Sequence, residues 1–170
     1  MWDGVMSLVA EIKKCEKADA TTAGIAMAYV CIDTMAFLSL AEGRMSQSTA
    51  DFIAWVDAYL KGHSDQPYQY RGLDVYGARC AVLHAFGSEV DFHEKNPDAK
   101  KFGYHDGGKH MYDPSIDERM VLIGTVSFLN DVVIAVHSFV ETCKADANLR
   151  QRVSAKLPRI LALFPVPEPH

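Results

Sequence analysis

An arginine and a histidine lie within the otherwise uncharged, apolar segment of residues 76–86. Arg79 and His84 have four residues between them, and a group that can carry charge inside an apolar helix usually needs a partner or a chemical role. In a regular α-helix, positions five apart are about 7.5 Å apart along the axis and about 140° around it. The two side chains therefore do not share one face, although a long arginine side chain can reach back towards the histidine.

Two further residues affect how this segment is interpreted. Asp33 is the only charged residue in the middle of the predicted second helix, and a carboxylate is the natural buried partner for Arg79. Gly77 has no side chain and would let another helix or a ligand approach closely. The segment therefore admits two interpretations: a functional site made of Arg79 and His84, or a structural ion pair between Arg79 and Asp33.

Residues 79–84, RCAVLH in one-letter code, resemble the signature of the HEPN superfamily, the higher eukaryote and prokaryote nucleotide-binding domain. In that family an arginine is followed, after four to six residues, by a histidine on a late helix of a small helical bundle. The resemblance implies metal-independent RNA cleavage, without a cofactor, in the cleft of a homodimer. His84 would act as general base on a ribose 2′-hydroxyl or as acid on the leaving oxygen. Arg79 would bind the phosphate and stabilise its growing charge.

The residue that follows the arginine leaves a second function open. Many HEPN members carry a polar residue there, often Asn, Asp or His, and this chain has Cys80. Family members without the full motif often act as binding or scaffolding domains. The resemblance therefore implies, as an alternative, a non-catalytic dimer that binds a nucleotide, RNA or a protein.

A further alternative is a metal-binding enzyme that uses the loop of residues 91–110. Histidine and carboxylate side chains are common metal ligands. The candidate cluster consists of Asp91, His93, Glu94, His105, Asp106 and His110. Their spacing matches no compact ligand motif, which favours solvated loop residues. We therefore expect no metal site, with His93, His105 and His110 as the weak candidates.

Helical periodicity predicts the elements that position these residues. The predicted helices lie at about 4–18, 21–41, 48–60, 73–86, 115–146 and 148–163. Ser48 and Asp51 resemble a capping box, and Pro114 ahead of Ser115 and Glu118 is a strong start signal for the fifth helix. That helix is apolar on more than one face, which favours a central position or a subunit interface.

Residues 88–114 lack helical period and are rich in Asp, Gly, His and Lys. Aromatic runs flank a glycine pair within them, which predicts a small β-hairpin at about 101–112. The predicted fold class is all-α, a bundle of five to six helices with one long loop that carries this hairpin. Residues 1–164 form a single helical domain in this prediction, and the proline-rich residues 165–170 form a flexible tail.

Composition limits the environment and the partners. A net charge of -5 argues against binding nucleic acid mainly through a broad basic surface, but it allows a local basic site. The N-terminus lacks a signal-peptide pattern. The apolar stretch 121–140 contains Asn130, Asp131 and His137, so we expect a core helix with satisfied polar groups and no membrane span. Four widely spaced cysteines favour a reducing cytoplasm: Cys15, Cys31, Cys80 and Cys143.

Overall fold

The structure is a computed structural model that describes residues 2–160. The described part of the chain is mostly helical, as the periodicity predicts. Its elements, in chain order, are α1 (Asp3–Lys17), α2 (Thr21–Ser39), α3 (Thr49–Tyr59), α4 (Gly72–Cys80), a π turn (Ala81–Ala85), α5 (Asp91–Lys95), β1 (Lys101–His105), β2 (Met120–Gly124), α6 (Thr125–Ala145), α7 (Ala147–Lys156) and a short 3₁₀ turn (Leu157–Arg159).

The core is built around α2, which packs against α1, α3 and α6. Asp33 is the only charged residue of α2, and Tyr29, Ile32 and Met35 are fully buried. A helix that is apolar on most of its surface has to be enclosed by neighbours. By length and composition, α2 and α6 could each cross a membrane, but half or more of each is buried in this fold, which is also typical of core helices.

Helix α4, which carries Arg79, is positioned by close contact with α3. The predicted capping box at the start of α3 is present, since the backbone N–H of Ser48 donates to the Asp51 carboxylate at 2.8 Å. At the start of α4, the N–H of Gly72 donates to Asp57 at 2.7 Å. A Cβ atom on Gly72 would lie 2.6 Å from the carbonyl oxygen of Ile53. The first turn of α4 can therefore approach α3 this closely only with glycine.

The predicted hairpin at 101–112 is wrong. Strands β1 and β2 pair in parallel, with Phe102 opposite Val121, and residues 106–119 form the crossover between them. Within the crossover, Met111 makes a single antiparallel bridge to Leu122. The glycine pair does turn the chain, but its backbone packs against the end of β2, where a Cβ on Gly124 would lie 2.7 Å from backbone atoms.

The predicted fifth helix begins too early, because α6 starts at Thr125 and residues 120–124 form β2. Val121 and Ile123 are fully buried whereas Leu122 is partly exposed, which is the alternation of a strand. The expected start signal forms a turn instead, in which the N–H and hydroxyl of Ser115 both donate to the Asp113 carboxylate. A short apolar run fits the periodicity of a helix as well as that of a strand, and the pairing with β1 makes residues 120–124 a strand.

The last predicted helix, at 148–163, is shorter than expected. Helix α7 ends at Lys156, and the chain continues as a 3₁₀ turn that contains Pro158. Proline cannot donate the backbone hydrogen bond that a longer helix would need. The predicted tail, residues 165–170, lies outside the described residues.

Replacing Gly72 with alanine should weaken the fold, because the new methyl group meets the backbone of α3. We expect the free energy of unfolding in urea to fall by about 1–3 kcal/mol, the usual cost of overpacking. Gly4→Ala is the matched control, since a Cβ at position 4 meets nothing within 4 Å. Equal stability of the two variants would contradict the proposed contact between α4 and α3.

Candidate active site

The helix that carries the motif changes type between Arg79 and His84, the two candidate residues. Helix α4 ends at Cys80 and continues into the π turn, where the N–H of Phe86 donates to the carbonyl of Ala81, five residues earlier. A π turn brings positions five apart nearly above one another, whereas an α-helix separates them widely. Arg79 Nη1 consequently lies 2.8 Å from His84 Nε2. The arginine side chain thus reaches back to the histidine, as its length allows.

Asp33 of α2 binds the other side of the guanidinium group. Nε of Arg79 donates to Asp33 Oδ2 at 2.8 Å, and Nη2 lies 2.7 Å from the same oxygen. The second carboxylate oxygen accepts from Gln47 Nε2 at 3.3 Å. The side chains of Arg79 and Asp33 are 21% and 25% exposed. The partner expected for Arg79 is thus present, and it leaves Nη1 of the guanidinium group for the contact with His84.

The guanidinium group determines which nitrogen of His84 carries a proton. Arginine has N–H donors only, so Nε2 of His84 must accept, and the neutral ring then carries its hydrogen on Nδ1. Burial alone would lower the pKa of Arg79, but its bonds with Asp33 and its contact with Cys80 outweigh burial and raise that pKa. Arg79 therefore stays charged. Because His84 is exposed, its Nδ1–H can reach a further acceptor.

The surface beside His84 is acidic. His84 and Cys80 line a depression of about 530 Å³ together with Glu89 and Asp91. Glu89 forms an ion pair with Lys101 at 2.6 Å, which compensates one of the two carboxylates. Cys80 is half-buried. The carboxylates in the depression beside His84 disfavour the binding of anions there.

Gly77 makes room for a helix of the same chain. A Cβ atom at this position would lie 2.7 Å from His93 Nε2 and 3.0 Å from the ring of Phe92. His93 is fully buried, accepts from the N–H of Val90, and donates from Nε2 to the carbonyl of Lys100 at 3.3 Å. The glycine therefore lets α5 pack on α4 and complete the depression beside His84.

The loop histidines do not meet at one point. His105 accepts from the N–H of Gly107 and donates to the carbonyl of Lys109, whereas His93 binds Val90 and Lys100. Within residues 2–160, no group of three or more His, Cys, Asp or Glu side chains is placed to hold a metal ion. His110 likewise uses both ring nitrogens, in contacts with Tyr70 and Gly124.

His110 belongs to a buried chain of hydrogen bonds that the sequence pattern does not reveal. Its Nδ1 accepts from the N–H of Gly124 at 3.1 Å, so the hydrogen of the ring lies on Nε2. Nε2 donates to the hydroxyl of Tyr70 at 2.9 Å, and this hydroxyl donates to Asp131 Oδ2, also at 2.9 Å. Burial lowers the pKa of His110 to about 4 and raises that of Asp131. Asp131 is the buried polar group expected on α6, but the expected burial of Asn130 and His137 is wrong.

The hydrogen bond from Arg79 should be visible in the ring of His84. We expect ¹⁵N NMR to show the Nδ1–H tautomer for the neutral ring, because Nε2 accepts the hydrogen bond from Arg79. Arg79→Met removes the donor, so the ring should then populate both tautomers. His137, which is exposed on α6, is the internal control and should keep its spectrum. An unchanged tautomer of His84 in Arg79→Met would show that the bond is not formed.

The buried state of His110 should make stability depend on pH. The unfolded chain takes up a proton at this side chain near pH 6.5, but the folded chain does so only near pH 4. The free energy of unfolding should therefore fall as pH falls through this window, by at most about 1.4 kcal/mol per pH unit for one group. The raised pKa of Asp131 partly opposes this decline, because the folded carboxylate is protonated first.

Urea unfolding at several pH values tests this dependence. His110→Gln should flatten the decline between about pH 6.5 and 4. His63→Gln is the control, since the side chain of His63 is 78% exposed. An equally steep decline in His110→Gln would mean that other groups cause it.

Comparison with known proteins gives no match to this chain. No protein-family model, no curated protein and no solved structure is significantly similar to it. The functional interpretation of Arg79 and His84 therefore depends on their geometry and on the resemblance of residues 79–84 to the HEPN signature.

Proposed function

We propose that this protein is a HEPN-like, metal-independent endoribonuclease of the cytoplasm, with an active site formed by Arg79 and His84 of two chains in a homodimer. The observation that supports it is the chain of contacts from Asp33 through Arg79 to His84. RNA cleavage without a metal needs a base for the 2′-hydroxyl and a positive charge at the phosphate. His84 and Arg79 supply these two groups, and the exposed position of His84 lets a second chain face it.

Substrate binding would release the base. In the free site, the lone pair of His84 Nε2 is occupied by an N–H of Arg79. A phosphate oxygen is a stronger acceptor for a guanidinium group than a neutral imidazole, because the bond is then charged on both sides. Transfer of this N–H to the phosphate frees Nε2 for the ribose hydroxyl. Asp33 meanwhile holds Nε and Nη2, so the guanidinium group keeps its position.

The chemical step then follows from these positions. Nε2 of His84 accepts the proton of the 2′-hydroxyl, and the 2′-oxygen forms a bond to phosphorus. The bond between phosphorus and the 5′-oxygen breaks, and the leaving oxygen takes a proton from the protonated His84 of the second chain. Arg79 stabilises the negative charge on the phosphorane oxygens. The products are a 2′,3′-cyclic phosphate and a 5′-hydroxyl.

A non-catalytic dimer that binds a nucleotide, RNA or a protein is the second candidate. Within this candidate, the carboxylates of Glu89 and Asp91 favour a protein partner, since they line the depression beside His84 and repel the phosphates of a nucleotide or RNA. The net charge of -5 acts in the same direction. This candidate has the same Arg79–Asp33 contact, but it assigns that contact a structural role only.

Incubation of purified protein with RNA in excess chelator separates the two candidates. For the ribonuclease we expect cleavage with cyclic-phosphate ends, and a loss of about 100-fold or more in His84→Ala, the usual contribution of a general base. His137→Ala is the matched control, because this histidine is also exposed but lies on α6. Cleavage that survives His84→Ala would refute the proposal. Dimerisation and RNA binding without turnover by the unmodified chain would establish the non-catalytic candidate.

A further inference from the structure

We propose that an apolar depression beside the π turn is a nucleobase subsite, in which the ring of Phe86 stacks on a base next to the cleaved phosphate. The choice of RNA as ligand rests on the proposed function. The depression itself is a separate feature of the surface, on the side of the π turn that Val82 and Phe86 occupy. Its existence as a binding site can therefore be tested without cleavage.

Phe86 is placed as a stacking platform. Its side chain is 74% exposed, and it is the only exposed Phe, Tyr or Trp side chain within residues 2–160. Its backbone has a φ of 51°, in the left-handed region that bulky residues rarely adopt. Such conformations concentrate at ligand clamps and active sites. An apolar ring held in water by a strained backbone, two residues after His84, is explained by a ligand that covers it.

The depression fits one base by size and by chemistry. Its volume is about 270 Å³, just below the range of about 300–1,000 Å³ that holds a drug-sized molecule. Tyr104 contributes aromatic surface, and the hydroxyl groups of Thr22 and Ser88 offer hydrogen bonds to the edge of a base. None of its lining residues is charged. The site therefore suits an uncharged, planar, polar-edged group and not a phosphate.

The two sides of the π turn would orient an RNA strand. The depression at His84 contains Glu89 and Asp91, whereas the depression at Phe86 is uncharged. A strand with its phosphate on Arg79 would avoid the carboxylates and direct one base towards Phe86. Stacking on an aromatic ring tolerates any base, because every base has a π face. We therefore infer a subsite that contributes affinity with little sequence preference.

Fluorescence anisotropy with a labelled RNA decamer tests the subsite in the His84→Ala background, where cleavage is prevented. Adding Phe86→Ala should raise the Kd about fivefold to one hundredfold, the usual effect of removing one stacked aromatic ring. Phe86→Trp should restore binding. Ile116→Ala is the matched control, since Ile116 is 85% exposed and does not line the depression. A decamer with the same backbone but without bases should bind independently of residue 86.

Four results would overturn the subsite. The first is that Phe86→Ala leaves the Kd unchanged, and the second is that it weakens binding of the decamer without bases equally. The third is that the decamer does not bind at all. The fourth is that Phe86→Ala converts a dimer to a monomer in sedimentation. The last result would mean that a second chain covers Phe86. Failure of the proposed function is distinguishable, because the unmodified chain would then bind the decamer in a Phe86-dependent manner without cleaving it.

Discussion

The ion pair between Arg79 and Asp33 is the contact on which the rest of the site depends. Arg79 is flanked by apolar residues, and breaking a buried ion pair costs about 3–5 kcal/mol, less here because Arg79 keeps 21% of its surface exposed. Asp33 neutralises this charge from α2, so the same contact joins the core helix to the motif helix. It also fixes the guanidinium group beside His84. Stability and chemistry therefore constrain the same two side chains.

The backbone adds a second constraint, because the contact with His84 depends on the π turn. In a regular α-helix the two positions would lie about 140° apart around the axis, so the i→i+5 bond at Ala81 shortens the reach that Arg79 needs. The turn ends at Phe86 in a left-handed conformation, which separates an acidic depression from an apolar one. A single irregular segment thus positions His84 and divides the surface around it. Irregular helical turns of this kind are frequent at functional sites.

The parts of the fold that follow from local pattern could be predicted from the sequence. The capping box at Ser48 depends on residue type and spacing alone, whereas the pairing of Asp33 with Arg79 joins two helices and could be suggested only because each is a lone charge in an apolar segment. Strand β2 could not be predicted, because residues 120–124 fit a helix as well as a strand and only the distant β1 decides. The π turn likewise has no propensity signal. The hydrogen bonds from His110 to Asp131 join three separate segments, so no local window contains them.

The arrangement of Arg79 and His84 also links reactivity to the presence of a phosphate. The Nε2 lone pair of His84, which a base needs, is occupied by the guanidinium group that would bind the substrate. An uncharged ligand cannot outcompete that bond, whereas a phosphate oxygen can. The carboxylates of Glu89 and Asp91 make the site more selective, since they repel anions that Arg79 does not bind directly. In the proposed ribonuclease, this hydrogen bond would keep the free site inactive, and a phosphate bound to Arg79 would release Nε2 of His84 to act as the base.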